Sequence, residues 1–481
     1  MNKFKSALIC VFLIGSAASS FSFTMLGTPA GWQTTRIGYQ TIWNGVTDLG
    51  APMNLGNEYR ITQKIITYGY TPEFVNWYGQ RGMDEIDEAV TMLEDLGDLS
   101  VIDPNAFPLQ ASRFHASAFQ LDLVDLKSSV LQKLVELAGL GNPERFVFCL
   151  RNLEGTEPNF VYSVIQRNFD PITYKPSSYI NGHLYTYVNI FDDTTIAYPI
   201  IVTVDPLAEQ ASPVAAESSR ANLAGTYYAN LTRDDVGGLK YIYSNSNWNV
   251  QTLPTGSASS SGGLGVIAQN GSSNAWSPVL PNLTNTVATI STNLVNQGLR
   301  PGIGKLDFEK VEYDQTFGEF IPVSVRESDL VITNGFQTRQ IIERALDDAP
   351  DLTFSAQDLL TLYDRSAISY TNFDAISAVA GDSGPGSVNF PYTMSFSSEA
   401  SLLINAFPFN QDEEDAVRFP IYGSFDGSTS EPFVYPDTES LERIQSALSS
   451  SSGEGISWVP VPALNLTDPN NQDPNAVGAV N

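Results

Sequence analysis

Cysteine and histidine are nearly missing from this chain, with two of each in 481 residues. A mechanism built on histidine must use His115 or His183, and neither has a second ligand at helical spacing. Cys10 falls in the apolar N-terminal run, which leaves Cys149 alone once that run is removed, so no internal disulfide closes. The setting Phe146-Val147-Phe148-Cys149-Leu150 reads as a buried strand, with Cys149 as a packing residue and not a reactive thiol. Basic residues are also scarce: 25 Lys and Arg face 53 Asp and Glu, for a net charge of -28. Such a field repels phosphate backbones and anionic lipid, which makes nucleic acid a poor partner. Long apolar runs are absent too. Ala7 to Ile14 is continuous, but a span needs about 20 apolar residues.

What the N-terminus does have is an export layout over residues 1–20. Lys3 and Lys5 precede the apolar run, and small residues from Gly15 to Ser20 follow, with Ala18 and Ser20 placed for cleavage. The expectation is a secreted protein, extracellular, at the cell surface or periplasmic. Hydrophobic residues at 42% suffice for packed cores. A single core stops growing at about 250–300 residues, so two or more domains are expected.

Periodicity then orders the chain. Ile61 to Tyr70 reads as a strand, Met83 to Leu96 as an amphipathic helix, and Phe114 to Val124 as extended. A second amphipathic helix starts at Asp125 as cap, with Leu126, Val130, Leu134, Leu137 and Ala138 on one face and Gly139 near its end. A third opens at Thr232, where Asp235 three residues on completes a capping box; Val236, Leu239 and Tyr243 then face inward. The second half reads as mostly β, including Lys305 to Tyr313, Phe320 to Val325 and Ser387 to Phe396. Helix signals stand near Gln337 to Ala345 and Ser355 to Tyr363.

Three of these segments resemble the metzincin metallopeptidases of the matrixin type. Ile66-Thr67-Tyr68 stands at the leading strand. Gln132-Lys133-Leu134-Val135-Glu136-Leu137-Ala138-Gly139-Leu140-Gly141-Asn142 lies where that family places its HExGHxLGLxH run, and Leu231 to Tyr243 lies at its closing helix. The framework positions Gly139, Thr232, Asp234, Asp235 and Tyr243 agree. The three ligand positions are instead Gln132, Glu136 and Asn142, and the general base has become Lys133. Amides are poor zinc donors, and a lysine beside the metal opposes it: two unit charges at 4 Å repel by about 4 kcal/mol at an effective dielectric of 20, and a dication roughly doubles that. The resemblance therefore implies a metzincin fold with a dead site, holding no zinc and performing no catalysis. From the helix alone, the competing reading is a solvated face carrying Gln132, Lys133 and Glu136, with Lys133 paired to Glu136.

The expected fold is α+β: a metzincin-like domain over 57–245, a mixed sheet with three helices, and a β-rich, sandwich-like region over 286–462. Residues 21–56 form an N-terminal extension, 246–285 a Ser, Gly and Asn-rich linker, and 463–481 a flexible tail. Acidic runs at Asp192-Asp193, Asp412 to Asp415 and Asp468 to Asp473 raise calcium, yet none completes a recognised loop. Gly381-Asp382-Ser383-Gly384-Pro385 resembles a serine-protease nucleophile loop but lacks a histidine base. The leading functional expectation is an exported, non-catalytic protein that binds an extracellular protein or glycan. A secreted zinc endopeptidase with a non-standard ligand set is the alternative, and a serine hydrolase using Ser383 ranks last.

Overall fold

The run Ile65-Ile66-Thr67-Tyr68-Gly69-Tyr70 is rich in β-branched and aromatic residues and forms strand β1 (Ile65–Tyr70), buried along almost its whole length. It belongs to a computed structural model that describes residues 22–27, 32–33, 51–156, 159–192, 197–207, 213–215, 223–252, 258–259, 297–333, 336–346, 349–356, 370–372, 385–396 and 421–435. The architecture is α+β, with few helices and many strands.

Helix α1 (Pro72–Glu94) begins well before the Met83 that periodicity marks. Thr71 caps it by accepting the Phe74 N–H, and Pro72 is preset for the first turn. Phe114 to Val124 is not one extended run. His115 Nδ1 accepts the Ala118 N–H at 3.1 Å and caps a short helix, α2 (Ala116–Gln120), before β2 (Leu123–Asp125). Asp125 then caps α3 (Leu126–Leu137), as expected from its position. Every residue of α3 is buried except Lys127 and Lys133, so it is an interior helix and not an amphipathic one with a wet face. Asn142 caps α4 (Pro143–Phe146), and Thr232 with Asp235 closes the capping box of α5 (Arg233–Tyr243).

The sheet holding β1 is parallel throughout, ordered β3 (Asp307–Lys310), β1, β4 (Leu352–Ser355), β5 (Tyr392–Ser395). Its three other strands come from beyond residue 300. The segments 57–245 and 286–462 are thus interleaved in one sheet, and one apolar cluster runs from Phe23 to Tyr435. Some strands of the second half join sheets with strands of the first, whereas Gln297–Pro301, Val323–Thr333 and Phe336–Leu346 lie in a five-stranded sheet with Trp248–Thr252 and Ala258–Ser259. The residues read as a linker begin with a strand, Trp248–Thr252, paired with Gln297–Pro301. Most of the rest of 246–285 lies outside the described residues.

The N-terminal extension is equally part of the core. Phe23 and Thr24 pair with Phe169 and Asn168, and Met25 is fully buried. Gln337 to Ala345, expected as helix, lies in strand Phe336–Leu346 and pairs in register with Val323–Thr333. There the continuous antiparallel backbone pairing overrides a local helical preference. The chain's last described strands are β6 (Ile421–Ser424), parallel to β2, and β7 (Phe433–Val434). The export segment 1–20, the helix signal after Ala356, Ser383 and the tail 463–481 lie outside the described residues. No helix among the described residues is long and apolar enough to cross a membrane.

Candidate functional site

The α3 helix brings Gln132 and Glu136 one turn apart on one face, as the spacing requires. Both are buried, at 1% and 3% exposure, and Gln132 Nε2 donates directly to Glu136 Oε1. Tyr392 of β5 lies near this pair: its phenol is pushed up first by burial and then by the Glu136 charge. Lys133 is one of the two partly exposed residues of the helix and stands apart from that buried pair. The face is therefore neither solvated nor an open cleft.

After α3 the chain turns sharply at Gly139, whose φ of +97° is left-handed and favours glycine. A Cβ there would meet the Tyr59 carbonyl oxygen at 2.7 Å. The turn lets Leu26 N–H donate to the Gly139 carbonyl and Gly141 N–H to the Thr24 carbonyl, tying the end of α3 to the N-terminal segment. Asn142 follows, and its Oδ1 accepts the N–H groups of Glu144 at 2.9 Å and Arg145 at 3.4 Å. It serves as a helix cap.

The closing helix α5 binds distant segments through its two acids. Asp234 is fully buried and accepts Ser22 N–H at 2.8 Å and Asn181 N–H at 2.6 Å. Asp235 accepts Val214 N–H at 3.0 Å, Ala215 N–H at 2.9 Å and Thr232 N–H at 2.9 Å. Burial raises both carboxyls, and the backbone donors oppose that rise. The cavity beside them, lined by Phe23, Leu140 and both acids among others, has room for a water and nothing larger. At the other end of α5, Tyr243 Oη donates to the Ala138 carbonyl at 2.9 Å and accepts Ile61 N–H at 3.1 Å. One phenol thus joins the end of α3 to the segment leading into β1.

The donor set does not fit zinc. Gln132 spends its amide on Glu136, Asn142 spends its oxygen on a helix start, and Lys133 brings positive charge. Among the described residues no three His, Cys, Asp or Glu side chains are grouped to hold a metal. Neither histidine joins the site: His115 is a cap, and His183 starts the strand His183–Asp192. Of the acidic runs, Asp192 ends that strand, while Asp412 to Asp415 and Asp468 to Asp473 lie outside the described residues. Cys149 is buried at the start of strand Cys149–Thr156, with Sγ on the Phe146 carbonyl.

Sequence reasoning overlooked a second cluster of buried charge. Arg60 is 1% exposed and donates to the carbonyls of Ile242, Asn247 and Arg300. Burial lowers it to about 10, and the Glu58 carboxylate opposes that. No motif marks these residues; a Glu-x-Arg pair before an apolar strand was the available signal. No protein-family model, curated protein or solved structure matches this chain.

Proposed function

We propose that this is an exported, non-catalytic protein that keeps a metzincin-like framework without its zinc chemistry and serves a surface, matrix or binding role toward an extracellular protein or glycan. The observation that carries this reading is the buried Gln132–Glu136 pair, whose polar atoms are turned on each other where the family has two ligands and open space. The framework positions support it from the other side. Gly139 makes the turn after α3, Tyr243 ties α3 to the segment leading into β1, and Asp234 and Asp235 hold three distant segments by their backbone amides. These are structural tasks that survive the loss of a metal.

The test is metal analysis of the purified protein together with a peptide-cleavage assay. The reading expects no stoichiometric zinc and no cleavage. Zinc near one equivalent, with chelator-sensitive cleavage, would establish the endopeptidase alternative. Capture of a specific partner or glycan from the host's extracellular fraction would then define the role.

A further inference from the structure

The β6–β7 hairpin sits against α1 and α3 through a cluster that the proposed function does not use. Gly423 lies opposite Asp125 in the parallel β6–β2 pairing, which places Ser424 beside the cap of α3. Ser424 Oγ donates to Glu85 Oε1 of α1 and accepts from Arg81 Nε at 3.3 Å. The Arg81 guanidinium lies over the Phe433 ring of β7, 4.7 Å from its centre. Asp125 is fully buried. Its Oδ2 accepts from the Ser128 N–H at 2.9 Å and from the Ser128 hydroxyl, whereas its Oδ1 has no hydrogen-bond partner. An ionised carboxylate with an unserved oxygen is costly in an interior, and a protonated one is much less so.

We infer that Asp125 is protonated when the hairpin is docked, and that loss of this proton loosens β6 and β7 from the helices. The charged and titratable groups around Asp125 and the hairpin are Arg81, Glu85 and Glu88 on α1, Lys127 on α3, Asp426 after β6 and Tyr435 after β7. Lys127 pairs with Glu88 at 2.9 Å and is thus shared, and Arg81 is engaged by Ser424. Asp426 is exposed and held low by Ser428. His115 lies against Phe425 in a tilted ring contact, 5.6 Å between ring centres. Burial pushes Asp125 up to about 7, the Ser128 bonds oppose this, and the Glu85 charge adds to the rise; burial raises Glu85 as well.

The docked state therefore holds more protons than the undocked one, where Asp125 returns to the ordinary carboxylate range. Docking is strongest at low pH and weakens as pH rises toward 7, by up to about tenfold in the undocking constant per pH unit, then levels off. Amide exchange of residues 421–424 and 433–435 in the full chain, corrected for intrinsic rates, reads this directly. From pH 5 to 7 the exchange should accelerate by about tenfold per unit. Asp125→Asn keeps a good cap and a fixed neutral group, so its slope should fall well below that of the parent, leaving only what Glu85 contributes. Glu85→Gln removes the like charge and should move the midpoint to lower pH. A flat wild-type profile, or an unchanged slope in Asp125→Asn, would overturn the inference; if that variant does not fold, an unchanged midpoint in Glu85→Gln overturns it instead.

Discussion

Arg60 and Gly139 show how much a single residue carries in this chain. Arg60 has no solvent to share its charge, and it satisfies three backbone carbonyls from α5, the segment after it and Arg300. Replacing it by Ala leaves those carbonyls open and Glu58 buried without its cation. Arg60→Ala should therefore cost about 3–5 kcal/mol in denaturant unfolding, the range for breaking a buried pair. Arg60→Met, which removes the charge but keeps the bulk, should still cost more than an exposed Arg change. Gly139→Ala acts through backbone and space together, because its φ is left-handed and its new Cβ would press on the Tyr59 carbonyl. A loss of roughly 1–3 kcal/mol is expected from the same unfolding measurement. A variant as stable as the parent would remove the claim that the turn is constrained.

At the scale of elements, α5 is the clearest case of sequence dictating structure. Its cap, its paired acids and its inward Tyr243 were all legible, because a capping box and an apolar period are local signals. What each acid holds was not legible. Ser22, Asn181, Val214 and Ala215 reach α5 from far along the chain, and no local pattern encodes such contacts. Asp235→Ala should thus cost more than the about 0.5–2 kcal/mol of an ordinary cap, since it also abandons two buried amides from a distant loop; thermal unfolding checks this. The α3 helix repeats the lesson. Its cap followed from Asp125 and its inward face from the apolar spacing, but its near-complete burial did not, because Gln132 and Glu136 read with Lys133 as a solvated face and are instead buried. The strand Phe336–Leu346 reverses the local preference outright, as its register with Val323–Thr333 is decided by pairing.

For the whole molecule, helix and strand periodicity pointed to the observed class, α+β, while the order of packing depended on long-range pairing. A Gly, Ser and Asn-rich stretch looks like a boundary because it buries little, yet β1 before it lies between β3 and β4 after it. Composition shifts mark where a chain is easily cut and not whether the parts are separate. Protease should therefore cut first within the Ser, Gly and Asn-rich stretch 246–285, and the two pieces should elute together from a sizing column until denaturant is added. Separate elution of two folded pieces would contradict the shared sheet. The N-terminal segment makes the same point. Truncation after residue 27 should destabilise the molecule, because it removes Phe23, Met25 and Leu26 from the core and the Ser22 amide from Asp234.

We propose that a metzincin-like framework persists here around positions that have lost their ligands. It is tested most directly by restoring them: Gln132→His, Lys133→Glu, Glu136→His and Asn142→His in one chain, followed by zinc titration of the folded protein. The restored chain should hold about one tightly bound zinc and the parent none, with no requirement that catalysis return, since a cleft and supporting groups are also needed. A restored chain that is folded and stable but binds no zinc would contradict the framework itself, and a parent that already holds zinc would contradict the dead site.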